Sequence, residues 1–130
     1  TLEDVARARQ EYPGALVVVH PECKVEVVDA SDANGSTTSI IDYVNNAPDG
    51  STIVVGTEWN LVDRLAREHH DRLVVPLRRS ACRTMGMTTA RHLLFVLDGL
   101  LADDPRNVIT VDPETTAWAR LALERMLRFG

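Results

Sequence analysis

"ALVVVHPECKVEVVDASDANGST", residues 15–37, opens as an unbroken apolar run and closes in a turn of small residues. Ala15 to Val19 shows no alternation of apolar and polar positions, and Val17, Val18 and Val19 are β-branched. A run of that kind predicts a strand of a parallel sheet covered on both faces. Pro21, which cannot donate to a sheet ladder, ends it. His20, Glu22 and Cys23 therefore sit at the joint where the strand gives out. The pattern then predicts a short helical stretch up to about Ala30, a brief strand within "SDANGST", and a turn at Gly35-Ser36-Thr37.

The same rhythm extends outward in both directions. Upstream, "TLEDVARARQEY" offers Thr1 as an N-cap, acidic Glu3 and Asp4 in the first turn, and Leu2, Val5 and Ala6 as an apolar face; Pro13-Gly14 stops it. Downstream, "STTSIIDYVNNA" predicts a helix with Ile40, Ile41 and Val44 inward, and "STIVVGT" (51–57) a second buried strand. "EWNLVDRLAREHH" predicts a helix with Leu61, Val62 and Leu65 inward, followed by the strand "RLVVPL" (72–77). Beyond an irregular stretch around Cys82, "TTARHLLFVLDGLLA" reads as an apolar helix in which His92 is packed. "NVITV" reads as a last strand, and "DPETTAWARLALERMLRF" as a closing helix with Asp112 as N-cap and Pro113 at its first position. Strands alternating with helices at this spacing predict an α/β fold: a small parallel sheet with helices on both faces, a three-layer α/β/α sandwich.

A chain of 130 residues suits one domain with a sizeable core. The apolar runs are far shorter than the roughly 20 residues that span a bilayer, and no basic and apolar leader opens the sequence, so we expect a cytoplasmic protein without membrane partners. The net charge of −5 and an aromatic content of 5% provide neither a basic face nor a stacking platform, which argues against nucleic acid. Two cysteines, Cys23 and Cys82, in a reducing compartment disfavour a structural disulfide. The first residue is Thr rather than Met, from which we expect an N-terminus made by cutting.

In doubly wound sheets, ligands bind beyond the carboxyl ends of the strands, where loops converge and helix N-termini point. Three groups fall at that edge: His20, Glu22 and Cys23; Gly35 to Thr38; and Gly56-Thr57-Glu58. His20 and Glu22 suit a general acid/base pair or a pair of ligand-orienting groups, or else His20 is a hydrogen-bonded packed histidine. Ser36 and Thr37 suit an anion cradle at a helix start, or else one of them is an N-cap. Thr57 and Glu58 are explained by a Thr cap followed by a first-turn Glu, and His69-His70 by a helix C-terminus at the surface. Cys82, in "SACRTMGM" (80–87), is either an inert thiol or one ligand of a metal whose other ligands lie elsewhere, since one or two cysteines hold neither an iron–sulfur cluster nor a structural zinc.

Taken together, "VHPEC" (19–23), "GST" (35–37), "VGTE" (55–58), "CRTM" (82–85) and the closing "VDPETTAWARLALERML" resemble quinolinate synthase in order and spacing over nearly the whole chain. The resemblance implies the third of three similar α/β domains, residues 1–103, and a C-terminal tail of strand and helix, 104–130. It implies an enzyme of NAD biosynthesis, a transferase that condenses iminoaspartate with dihydroxyacetone phosphate to quinolinate. L-aspartate oxidase would be the supplier of iminoaspartate. A [4Fe-4S] cluster, held by three cysteines of which one comes from each domain, would act as a Lewis acid. By position Cys82 would be the ligand in this chain, whereas Cys23 would not be a ligand. Glu22 would be an acid/base group, His20 a substrate-orienting catalytic group, and Ser36 and Thr37 would hold a carboxylate or phosphate. The missing N-terminal domains would be partners, and the chain alone would be inactive.

Two other readings compete. A stand-alone α/β module would bind a phosphorylated or dicarboxylate metabolite through Ser36 and Thr37. A thiol redox sensor would use Cys23 and Cys82, activated by Arg83 or by Arg78 and Arg79.

Overall fold

The computed structural model describes residues 1–129. Four parallel strands, β1 (Leu16–Val19), β2 (Ala33–Asn34), β3 (Thr52–Gly56) and β4 (Leu73–Pro76), form one sheet in the order β2-β1-β3-β4. Val17 stands opposite Val54, and Ile53 opposite Val74. The helices between them are α1 (Leu2–Glu11), α2 (Val25–Asp29), α3 (Thr37–Asn46) and α4 (Trp59–Glu68). Because side chains alternate across a strand, the β-branched runs feed two cores at once. Val18, Ile53 and Val55 pack with Ile40 and Val44 of α3 and with Val62 and Leu65 of α4. Val17, Val19 and Val54 pack on the other face with Val5 and Ala8 of α1 and Val27 of α2. The sandwich has three layers, as the sequence pattern predicts.

Local chemistry explains the boundaries. Thr1 and Asp4 form a capping box, with the Thr1 hydroxyl donating to the Asp4 carboxylate at 2.8 Å. Gly14 takes φ +81°, a left-handed turn that lets the chain reverse from α1 into β1. The inward face of α1 is Asp4, Val5 and Ala8, whereas Leu2 and Ala6 are exposed; the expected face is rotated by part of a turn. Arg72, only 7% exposed, donates to the carbonyls of Val44 at 2.7 Å and Ala47 at 2.5 Å, so its guanidinium closes the C-terminus of α3.

The chain divides into two compact units, Thr1–Met87 and Thr88–Gly130. The first contains the sheet. The second contains α5 (Ala90–Leu101) and α6 (Pro113–Leu127). His92 is an exposed partner in the capping box of α5, its N–H donating to Thr89 Oγ1 at 3.3 Å, not a packed residue. The helix ends with Asp103 at φ 55° and the Asp104 N–H donating to the Gly99 carbonyl at 2.8 Å, a Schellman-type stop. Asp112 caps α6, and Pro113 follows it, as expected. The strand expected at "NVITV" does not form: residues 107–111 are irregular, and Ile109 is 86% exposed. A strand exists by pairing, and among the described residues no strand pairs with it. No helix among the described residues is long and apolar enough to cross a membrane.

Candidate functional site

The chain order β2-β1-β3 places a topological switch between β1 and β3, because the connection leaving β1 goes to one side and the next goes to the other. The His20 N–H donates to the Gly56 carbonyl at 2.9 Å, so the two strands stay joined as far as this edge. A crevice of about 820 Å³ opens there. Gly56 is required at its floor, since a Cβ would come within 2.7 Å of the Val19 side chain.

The crevice gathers residues from four separated segments. His20, Glu22 and Cys23 line it from the end of β1, Thr37 from the start of α3, Glu58 and Asn60 from the start of α4, and Cys82 from the loop after β4. The imidazole of His20 is mostly buried, and its Nδ1 accepts from the Glu22 N–H at 3.2 Å. A neutral ring with an acceptor Nδ1 carries its proton on Nε2, so the other nitrogen is a donor. The Glu22 carboxylate is 90% exposed and 3.9 Å from Nδ1, available to a ligand rather than absorbed by the ring. The Cys23 thiol donates to the Gly56 carbonyl at 3.6 Å and packs against the core beneath the sheet.

At the start of α3 the two hydroxyls separate. Ser36 is the N-cap: its Oγ accepts from the Ser39 N–H at 3.2 Å and lies 3.0 Å from the Ser39 Oγ. Thr37, the first helical residue, lines the crevice, and Ser36 does not. In the next connection Glu58, not Thr57, caps α4, its carboxylate accepting from the Asn60 N–H at 2.8 Å and the Asn60 side-chain amide at 2.7 Å.

Cys82 is held by its own loop. Its Sγ lies 3.2 Å from the Thr84 hydroxyl, and the Gly86 N–H closes the turn on the Cys82 carbonyl at 2.9 Å. The hydrogen bond from Thr84 and the backbone N–H groups of Met85 and Thr84 push the Cys82 thiol below its ordinary pKa; desolvation and the Glu58 charge oppose this. Thiolate-favouring donors around an accessible sulfur suit a metal ligand. The loop is fixed to α4 by the Trp59 N–H donating to the Ser80 carbonyl at 2.9 Å, and by Arg79 stacked 4.7 Å above the Trp59 ring. Among the described residues no three His, Cys, Asp or Glu side chains cluster as a metal site. Cys82 is a single thiolate donor with chemistry compatible with a metal ligand, and the described residues by themselves do not make a complete metal site.

The sequence is similar to known proteins over almost its whole length. The family model described as Quinolinate synthetase A protein matches residues 1–128. The chain belongs to that family. Quinolinate synthases of Lysinibacillus sphaericus (strain C3-41), Bacillus cereus (strain G9842) and Bacillus anthracis (strain A0248) are each 43% identical to it over 129 residues, 98% of this chain. The chain spans 35% of the length of these relatives.

Sequence reasoning on the family motifs reached His20, Glu22, Thr37 and Cys82 but missed other lining residues, among them Asn60 and Arg64. Both lie on α4, and the helical periodicity marked its apolar face and left its polar face unread. Only the position of α4 beside the switch point distinguishes Arg64 from Arg67, the other arginine of that helix.

Proposed function

We propose that this chain supplies one wall of the active site of a quinolinate synthase, in which iminoaspartate and dihydroxyacetone phosphate condense to quinolinate with release of phosphate and water. The observation that carries the proposal is the convergence of His20, Glu22, Thr37 and Cys82 on one crevice at the switch point of the sheet. His20, with Nδ1 occupied by the Glu22 N–H, presents Nε2–H as a fixed donor to a substrate oxygen. The Glu22 carboxylate, exposed beside it, takes and returns the protons that imine formation and dehydration require. Thr37, at the positive end of α3, orients a carboxylate or phosphate, while Ser36 holds the helix start in place.

Cys82, its thiolate favoured by Thr84 and the loop N–H groups, would hold the [4Fe-4S] cluster together with two cysteines from the other parts of the enzyme. When bound, such a group supplies a Lewis acid at the substrate. The chain acts with those other parts as partners, and the full enzyme works in the cytoplasm without nucleic acid or membrane. We place the domain at residues 1–103 and its tail at 104–130, with L-aspartate oxidase as the source of iminoaspartate.

The test is a chimera in which this chain replaces the corresponding third of a Bacillus relative. It should form quinolinate under anaerobic conditions. Glu22→Gln should lower kcat by about 10²- to 10⁴-fold, the range for loss of an acid/base group. Cys82→Ser should abolish iron incorporation, and the 130-residue chain alone should stay colourless on reconstitution. A folded, iron-loaded chimera with no activity, or one indifferent to Glu22→Gln, would overturn the assignment.

A further inference from the structure

An anionic ligand entering the crevice faces two carboxylates, Glu22 and Glu58, and the thiol of Cys82. Thr37 and the α3 N-terminus offset part of that negative field, but a helix end carries only about half a charge. Arg64, on α4, is the one permanently cationic side chain among the described residues that line the crevice. Its ion-pair partner is Glu68, one turn further along the helix, with Arg64 Nε and Glu68 Oε1 3.7 Å apart. That separation exceeds a hydrogen bond, both side chains are more than half exposed, and exposed pairs of this kind hold their partners weakly. The fork of the guanidinium is therefore not committed to the protein. A planar, bidentate donor matches an oxyanion better than a point charge does.

We propose that Arg64 is the specificity-determining cation of the crevice, pairing with a carboxylate or phosphate oxyanion of the ligand while Thr37 holds the same anionic end. The inference rests on the crevice being the ligand site. It predicts that anionic character is read from α3 and α4, the helices flanking the sheet edge, while His20 and Glu22 serve the reacting atoms.

The test is amide and arginine-side-chain NMR of the 130-residue chain, titrated separately with pyridine-2,3-dicarboxylate and with inorganic phosphate. Both probes contain an oxyanion, and the two titrations distinguish a carboxylate source from a phosphate source. We expect shifts at the Thr37 and Thr38 amides and at the Arg64 Nε–H with at least one probe. Arg64→Gln should weaken that binding about tenfold or more, as expected for loss of a charge-assisted hydrogen-bond pair. Arg64→Lys should restore only part of it, and Arg67→Gln, on the same helix but outside the crevice lining, should leave it unchanged. Wild-type binding with an undiminished Arg64→Gln response overturns the role of Arg64 alone. Absence of crevice shifts with either probe in the wild-type chain overturns the crevice as the anion site as well.

Discussion

The sheet-bearing unit and the unit of α5 and α6 both carry many apolar side chains and use them to opposite effect. In the first, Val17, Val19, Ile53, Val55 and Leu65 are removed from water entirely. In the second, α5 carries Leu93, Leu94, Phe95, Leu97, Leu100 and Leu101, each about half exposed or more, and its buried residue is Gly99. α6 likewise exposes Trp118, Leu123, Met126 and Leu127. Both helices are nevertheless well formed at their ends, with Thr89 and Asp112 accepting from backbone N–H groups. Capping is a local matter that a few neighbouring residues complete. Burial is collective, and two helices cannot cover faces as wide as these.

The comparison can be broken most decisively by cutting the chain between Met87 and Thr88. Residues 1–87 should retain a cooperative thermal transition. Residues 88–129 should have reduced helicity, no cooperative transition and strong binding of a hydrophobic dye, because helices of 12 and 15 residues are marginal without packing. A cooperative transition in the second piece would show that its two helices do form a core.

A smaller but sharper contrast comes from matched truncations. Leu65→Ala should cost about 2–5 kcal/mol by chemical denaturation, since it opens a cavity in a fully buried layer. Leu97→Ala should change stability by less than about 0.5 kcal/mol, since the site is already wet. Comparable losses at both positions would contradict the distinction between the units.

Arg72→Leu removes the cover on the Val44 and Ala47 carbonyls and should cost about 1–3 kcal/mol, because buried acceptors are left unsatisfied. Arg72 also hydrogen-bonds Asp71 and holds its carboxyl down to about 2. A depressed folded-state pKa gives stability that is present above the unfolded value near 3.9 and lost as pH falls from about 4 toward 2. Asp71→Asn should flatten that part of the acid-unfolding profile. The effect is modest, because Asp71 is half exposed.

A small, local effect belongs to α6. Asp112→Ala should lower helicity near its N-terminus and cost about 1 kcal/mol or less, the ordinary worth of an N-cap. Circular dichroism of the full chain would detect the loss, and unchanged helicity would mean that the cap is redundant.

Much of this architecture was legible in advance because its causes are local or periodic. Unbroken Val runs suit a strand buried on both faces, and Thr1 and Asp112 each sit before a helix that needs an accepting side chain, whereas the cap at Thr89 emerged only from the structure. The rule that ligands bind at the carboxyl ends of strands also assigns His20, Glu22 and Thr37 to one edge of the sheet from sequence alone. The inward face of α1 departs from the apolar pattern, because Asp4 is buried against its own cap and Ala8 takes the place of Ala6. "NVITV" has the composition of a strand and lacks an edge to pair with, so composition alone gave the wrong state.

By itself, then, the amino-acid sequence determined the alternation of elements, most helix starts, the covered parallel sheet and the family motifs at its carboxyl edge. Tertiary structure decided which of two adjacent hydroxyls serves the helix and which faces the crevice. It brought Arg72 to the end of α3 and Arg64 to the crevice, and it left the apolar faces of α5 and α6 uncovered. The division has a physical reason: capping and strand patterning depend on neighbours a few residues away. The position of a long side chain, and the cover over an apolar face, depend on what the rest of the fold puts beside it.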